Sequence, residues 1–187
     1  MAQWKHHERE VAKYFGTQRR LRGADFSQSD VEVFVDAYDW LGIGNEFFLV
    51  VECKYSTAGH GLIPKFYTRY REFHKNNDYA FACPIGNCIL MDLQDLKSYM
   101  QNIVLGKGFI PPSTMYFNDT MSHLQVPKYI EDYLAQARDY STAIKVTKPV
   151  LPLVCMAKRN QKGRLVVMSI TDLCKLKDQL NVSSSPL

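Results

Sequence analysis

Asp30-Val31-Glu32-Val33-Phe34-Val35, followed by Phe47-Phe48-Leu49-Val50-Val51-Glu52-Cys53-Lys54, is the stretch on which the fold turns. Both runs are rich in β-branched and aromatic residues, and the intervening Trp40-Leu41-Gly42-Ile43-Gly44-Asn45 carries turn residues, so together they predict a β-hairpin. An antiparallel pair folding back around Leu41 and Gly42 places position 30 opposite positions 52 to 54. A slip of one residue would move every side chain to the other face and destroy that juxtaposition. Residues two apart on a strand share a face, so Glu52 and Lys54 aim at one point. The nearly continuous apolar run before Glu52 predicts a strand covered on both sides that ends where polar groups emerge.

Two acids and a lysine meeting at a strand end suit phosphodiester hydrolysis. The bond is protected by its own negative charge and by a poor alkoxide leaving group. Mg²⁺ prefers oxygen ligands and keeps several waters, so two carboxylates, a backbone carbonyl and the scissile phosphate can hold it while a bound water is activated. Asp30 and Glu52 are the expected ligands, with the carbonyl of Cys53 as a third; Mn²⁺ can substitute. Lys54 would stabilise charge building on the phosphate or orient the attacking water. Glu8, in an early amphipathic stretch, would bind a metal-bound water or a second ion. The competing reading makes Glu52 and Lys54 a solvated ion pair, but their place after an apolar run, with an acid upstream and basic residues nearby, favours the chemical one. Asp25 is the second candidate for the upstream acid.

Glu8-Arg9-Glu10-Val11, then Arg20-x-Arg22-Gly23, Ser29-Asp30-Val31 and Val51-Glu52-Cys53-Lys54 resemble, in order and spacing, the PD-(D/E)XK nuclease superfamily, and within it the archaeal and phage-type Holliday-junction resolvases. The resemblance covers roughly residues 4 to 56. It implies a restriction-endonuclease-like α/β core, with a central mixed β-sheet flanked by helices. It also implies catalytic roles for Glu8, Asp30, Glu52 and Lys54, and phosphate contacts for Arg9, Arg20 and Arg22. No proline precedes Asp30, and the interval from Asp30 to Glu52 is longer than in the compact resolvases.

The 187 residues, 46% of them hydrophobic, suffice for one domain with a proper core, expected over residues 1–180 with a flexible tail at 181–187. The net charge of +4 is modest. Its distribution says more: basic residues precede and follow the acids, and Lys158, Arg159, Lys162 and Arg164 cluster late with no acid among them, which suits a polyanion or else a solvated turn. The five cysteines are odd in number and mostly in apolar context, without zinc-ribbon spacing, and read as reduced core residues of an intracellular protein. His6 and His7 are neighbours on a helix, point in different directions and make a poor chelate, which leaves them to the surface or the substrate. With no apolar signal core and no membrane-length run, the expected location is the cytoplasm, including that of a virus-infected host cell.

Farther along, a strand-turn-strand-helix unit at residues 79–97 is echoed at residues 150–173. One copy is expected to complete the sheet, and the other to pair beside it or form an inserted lobe. A helix from Pro127 to Tyr140 carries the apolar stripe Ile130, Tyr133, Leu134 and Ala137. Its Gln136 and Tyr140 share a face and resemble the Gln-x-x-x-Tyr element of the exonuclease branch of the same superfamily; the other reading is a solvated glutamine and a packing aromatic. If the element is functional, the later unit belongs to the core and residues about 57–126 are an insertion. Phe66, Tyr67, Tyr70 and Phe73, interleaved with basic residues, suit base stacking or, on a helix, core packing.

The expectation is therefore a Mg²⁺-dependent endonuclease of DNA recombination and repair acting on a four-way junction; the family resemblance implies a homodimer, since symmetric cleavage of two strands needs two sites related by a twofold. Two rivals stand beside it. One is a restriction-like or exonucleolytic member of the same superfamily; the other is a noncatalytic nucleic-acid binder, which has no need of two acids repelling the backbone it holds.

Overall fold

In the computed structural model the two β-branched runs form β1 (Val31–Asp36) and β2 (Glu46–Ser56), paired antiparallel with Val31 opposite Val51 and Asp36 opposite Glu46. The pairing is centred on position 41, as the turn residues require. The structure describes residues 3–16, 31–36, 46–56, 83–85, 87–104, 128–143, 147–160 and 163–183. The remaining described elements are α1 (Gln3–Tyr14), β3 (Cys83–Ile85), β4 (Cys88–Asp92), α2 (Leu93–Val104), α3 (Lys128–Ala143), β5 (Val150–Lys158), β6 (Leu165–Ser169) and α4 (Ile170–Ser183).

β2 runs four residues beyond Glu52 because β5 offers it a second, parallel ladder that continues from Phe48 opposite Val150 to Ser56 opposite Lys158. All six strands join one mixed sheet in the order β1-β2-β5-β6-β4-β3, in which β2 with β5 is the parallel pair. Parallel neighbours need a crossover, and α3 packs on both of them. Alternation along the strands sorts the core into two layers. Phe47, Leu49, Val51 and Cys53 of β2 join Leu151, Leu153 and Cys155 of β5 under α1, α2 and α4. Val50 and Val154 belong to the other face, where α3 buries Ile130, Leu134 and Ala137. The expectation of a strand covered on both sides holds for β2.

The internal echo is a structural repeat. β4 and β6 lie side by side and antiparallel with Leu90 opposite Val167; Leu90 also pairs outward with Cys83, and Val167 with Val154. Each strand feeds a helix at the same offset on the same face, and the links match: Leu93 N–H donates to the carbonyl of Arg164 and Ile170 N–H to that of Asn87, both at 2.9 Å. The two units are thus related by an approximate twofold axis through the sheet. The later unit joins β2 directly, and the earlier one extends the far side of the same sheet and forms no separate lobe. In the later unit Ser169 caps α4, its Oγ accepting from Asp172 N–H. That helix includes the first three residues read as tail, because Leu180, 2% exposed, anchors its last turns to the core.

Candidate active site

Glu52 and Lys54 stand on the α3 side of β2, just beyond the last described pair of the β1 ladder, where the β5 ladder continues. Glu52 has no solvent exposure, and the Lys54 side chain retains 21%. A buried carboxylate is costly unless a partner offsets it. Lys54 Nζ does so, donating to Glu52 Oε1 at 2.5 Å. The solvated-pair reading is therefore overturned by the burial of Glu52.

The ammonium is held from two further directions by α3. Nζ donates to Gln136 Oε1 at 3.2 Å and lies 4.5 Å from the centre of the Tyr133 ring. Tyr133 and Gln136 are three residues apart and so share the helix face turned to the strand. Gln136 is thereby a partner of Lys54, against the alternative of a solvated glutamine. Tyr133, read in sequence as core, is a contact the sequence analysis missed; its position three before Gln136 is the signal that points to it. Tyr129, one turn earlier, stacks edge-on against Tyr133 at 5.8 Å, and burial pushes its phenol up to about 12.

The other expected residues fall differently. Glu8 lies on α1, buried at 6%, on the helix that covers the opposite face of β2, the face of Cys53. Cys53 is buried, and its backbone stands between Glu52 and Lys54. Arg9 is exposed on α1. Tyr140 belongs to α3, but its side chain, like Asp30, Arg20 and Arg22 as a whole, lies outside the described residues. So do Asp25 and the basic aromatic stretch at residues 65–75. The described ladder ends at Val31 and Val51, which are the residues next in sequence to Asp30 and Glu52.

His7 corrects an expectation. Read as a surface or substrate-facing residue, it is 2% exposed, because position 7 falls beside Val11 on the face α1 turns to the sheet. Its Nε2 lies 3.1 Å from the carbonyl oxygen of Cys155, and Arg164 Nε donates to its Nδ1 at 3.3 Å. A carbonyl can only accept, so Nε2 carries the proton and Nδ1 the lone pair.

Cys53, Cys88, Cys155 and Cys174 are free thiols, as expected of reduced core cysteines. Burial pushes the thiols of Cys88 and Cys155 up to about 12, which keeps them protonated and removes them as nucleophiles at neutral pH. Among the described residues no cluster of three or more metal-binding side chains occurs, and no helix is long and apolar enough to cross a membrane. No family model, curated protein or solved structure gives a significant match to the chain.

Proposed function

We propose that the protein is a metal-dependent deoxyribonuclease that hydrolyses phosphodiester bonds, with Glu52 and Lys54 at its centre. The observation that carries this reading is the fully buried carboxylate of Glu52 bound to a lysine that α3 grips with Gln136 and Tyr133. An ammonium fixed from two sides yet open to solvent on another suits a group that must meet a phosphate. The chain order also supports it: a helix and an antiparallel hairpin, then, after the intervening β3, β4 and α2, a helix and a strand parallel to the hairpin's second arm follow the course expected of a restriction-endonuclease-like core.

The donor set fits Mg²⁺. Glu52 carboxylate, the Cys53 carbonyl and Asp30 are all oxygen donors, and an ion that keeps most of its waters needs no larger cage. When bound, the ion supplies Lewis acidity and an activated water. Lys54, the solvent-accessible member of the pair, meets the phosphate first and stabilises the charge that develops on it. Gln136 and Tyr133 hold the ammonium in place while it is shared between Glu52 and substrate. Glu8 lies on α1 against the opposite face of β2 and takes no part in this centre.

A four-way junction cut by a homodimer is the substrate that the resolvase-like motifs favour. The Gln136 contact favours a second reading, an enzyme acting at duplex ends, because the Gln-x-x-x-Tyr element resembles the exonuclease branch. One experiment separates them: wild type and Glu52→Gln are incubated with junction, linear duplex, flap and single strand in Mg²⁺ or Mn²⁺. Cutting of the junction, lost by at least about 100-fold in Glu52→Gln while binding persists, is the expected result. Preferential degradation from duplex ends moves the assignment to the second reading. Cleavage that survives Glu52→Gln discards the site.

A further inference from the structure

Behind the Lys54 side of β2, between the start of α1 and the β5–β6 turn, lies a cleft of about 390 Å³ that the reaction just outlined does not use. We propose that this cleft holds a backbone phosphate of the bound nucleic acid, away from the phosphate being cut. The inference rests on the reading of the ligand as nucleic acid, and it adds a second point at which the strand is gripped.

The lining supplies the chemistry. His6, Tyr55, Lys158, Asn160 and Arg164 contribute to it, together with buried His7, and none of the described lining residues is acidic. Arg164 is a prepared anion receptor. Its carbonyl accepts from Leu93 N–H, which fixes the backbone, and its Nε is spent on His7 Nδ1, which fixes the head group. Four of the guanidinium's five N–H donors then remain on its two terminal nitrogens, a planar fork that matches phosphate oxygens. The ring that orients it is itself fixed by the Cys155 carbonyl. Asn160 and Gly163 adopt left-handed backbone, with φ of 62° and 87°, between Lys158 and Arg164, which line the same cleft. Tyr55 forms another wall, its hydroxyl donating to Gln3 Oε1 at 2.9 Å.

Position completes the argument. Tyr55 follows Lys54 directly and so faces the other way, and Lys158 stands opposite Ser56, four residues beyond Glu52. A strand crossing the ends of β2 and β5 would meet Lys54 first and the cleft next. The late basic cluster, ambiguous in sequence, acquires a place in this arrangement through Lys158 and Arg164.

The test is oligonucleotide binding in the Glu52→Gln protein, measured by anisotropy over a salt series so that cleavage does not enter. Lys158→Ala and Arg164→Gln should each weaken binding several-fold and lower the log–log salt slope by about 1, with melting temperature held as a check on folding. Lys97→Ala, at an exposed position of α2, should do neither. An unchanged slope in Lys158→Ala, an equal loss in Lys97→Ala, or a parent protein that binds no oligonucleotide overturns the proposal. If wild type cuts no substrate while the slope falls as expected, the cleft stands and the nuclease reading falls. If wild type cuts normally and the slope is unmoved, the cleft alone falls.

Discussion

Lys54 and Glu52 divide their work by exposure: the acid is out of solvent and the base keeps one side open to it. Removing the base alone leaves a negative charge stranded in the sheet. Lys54→Ala should therefore cost about 2–3 kcal/mol, somewhat below the range for breaking a fully buried pair because the ammonium is partly solvated. Urea unfolding will show it, and adding Glu52→Gln to Lys54→Ala should recover at least about 1 kcal/mol, whereas strictly additive losses would mean that the pair is not coupled. Gln136→Ala should scarcely change stability, about 1 kcal/mol at most for one partly exposed hydrogen bond. Cleavage should nevertheless drop about tenfold, because the ammonium loses one of its guides. At Tyr133 the ring and not the hydroxyl faces Lys54, so Tyr133→Phe should retain activity that Tyr133→Leu loses. Equal rates for the two variants would remove the aromatic from the account.

Among the described elements, α3 is the one whose packing reaches the proposed centre. Its stripe of Ile130, Leu134 and Ala137 seats it on β2 and β5, and the adjoining stripe delivers Tyr133 and Gln136. Leu134→Ala should cost about 2–5 kcal/mol as a core truncation and lower cleavage further than Leu180→Ala, a comparable cavity in α4 remote from Lys54. Matched activities at matched stability would show that α3 is only a buttress. Much of this was legible in the chain. The β1–β2 register followed from the alternation and turn residues around position 41, and the α3 stripe from its helical period. What the chain concealed has a physical reason. The burial of His7 depends on how α1 rolls on the sheet, which a dipeptide of histidines does not encode. The contact between Lys54 and Gln136 spans 82 residues and exists only because β5 is drawn in parallel to β2, a pairing no local pattern specifies. Asp30, the upstream acid expected from the sequence, lies outside the described residues.

For the molecule as a whole, its buried acids of high pKa set an alkaline limit. Burial raises the thiols of Cys88 and Cys155 from 9.0 to about 12 and raises the phenols of Tyr14, Tyr99 and Tyr129 from 10.0. Above pH 9 the unfolded chain releases protons that the folded one keeps, so the folded state binds more protons and stability falls as pH rises. Their contribution is complete below pH 9 and is withdrawn progressively toward pH 12. Melting temperature should fall across that window, and a flat profile would contradict the burial. At neutral pH the same two thiols should resist a thiol-modifying reagent until the protein unfolds.

The dyad that relates β3-β4-α2 to β5-β6-α4 also matches Pro84 with Cys155 and the outer margin of β3 with the margin of β5 that receives β2. A sheet built from two equivalent halves would accept a further strand on that side as readily as it accepts β2. An imino acid in β3 has no N–H to offer an incoming chain, so the margin is blunted against accretion. Among the described strands the β3 margin is thus closed to strand addition, and a second copy of the protein would have to meet the first elsewhere.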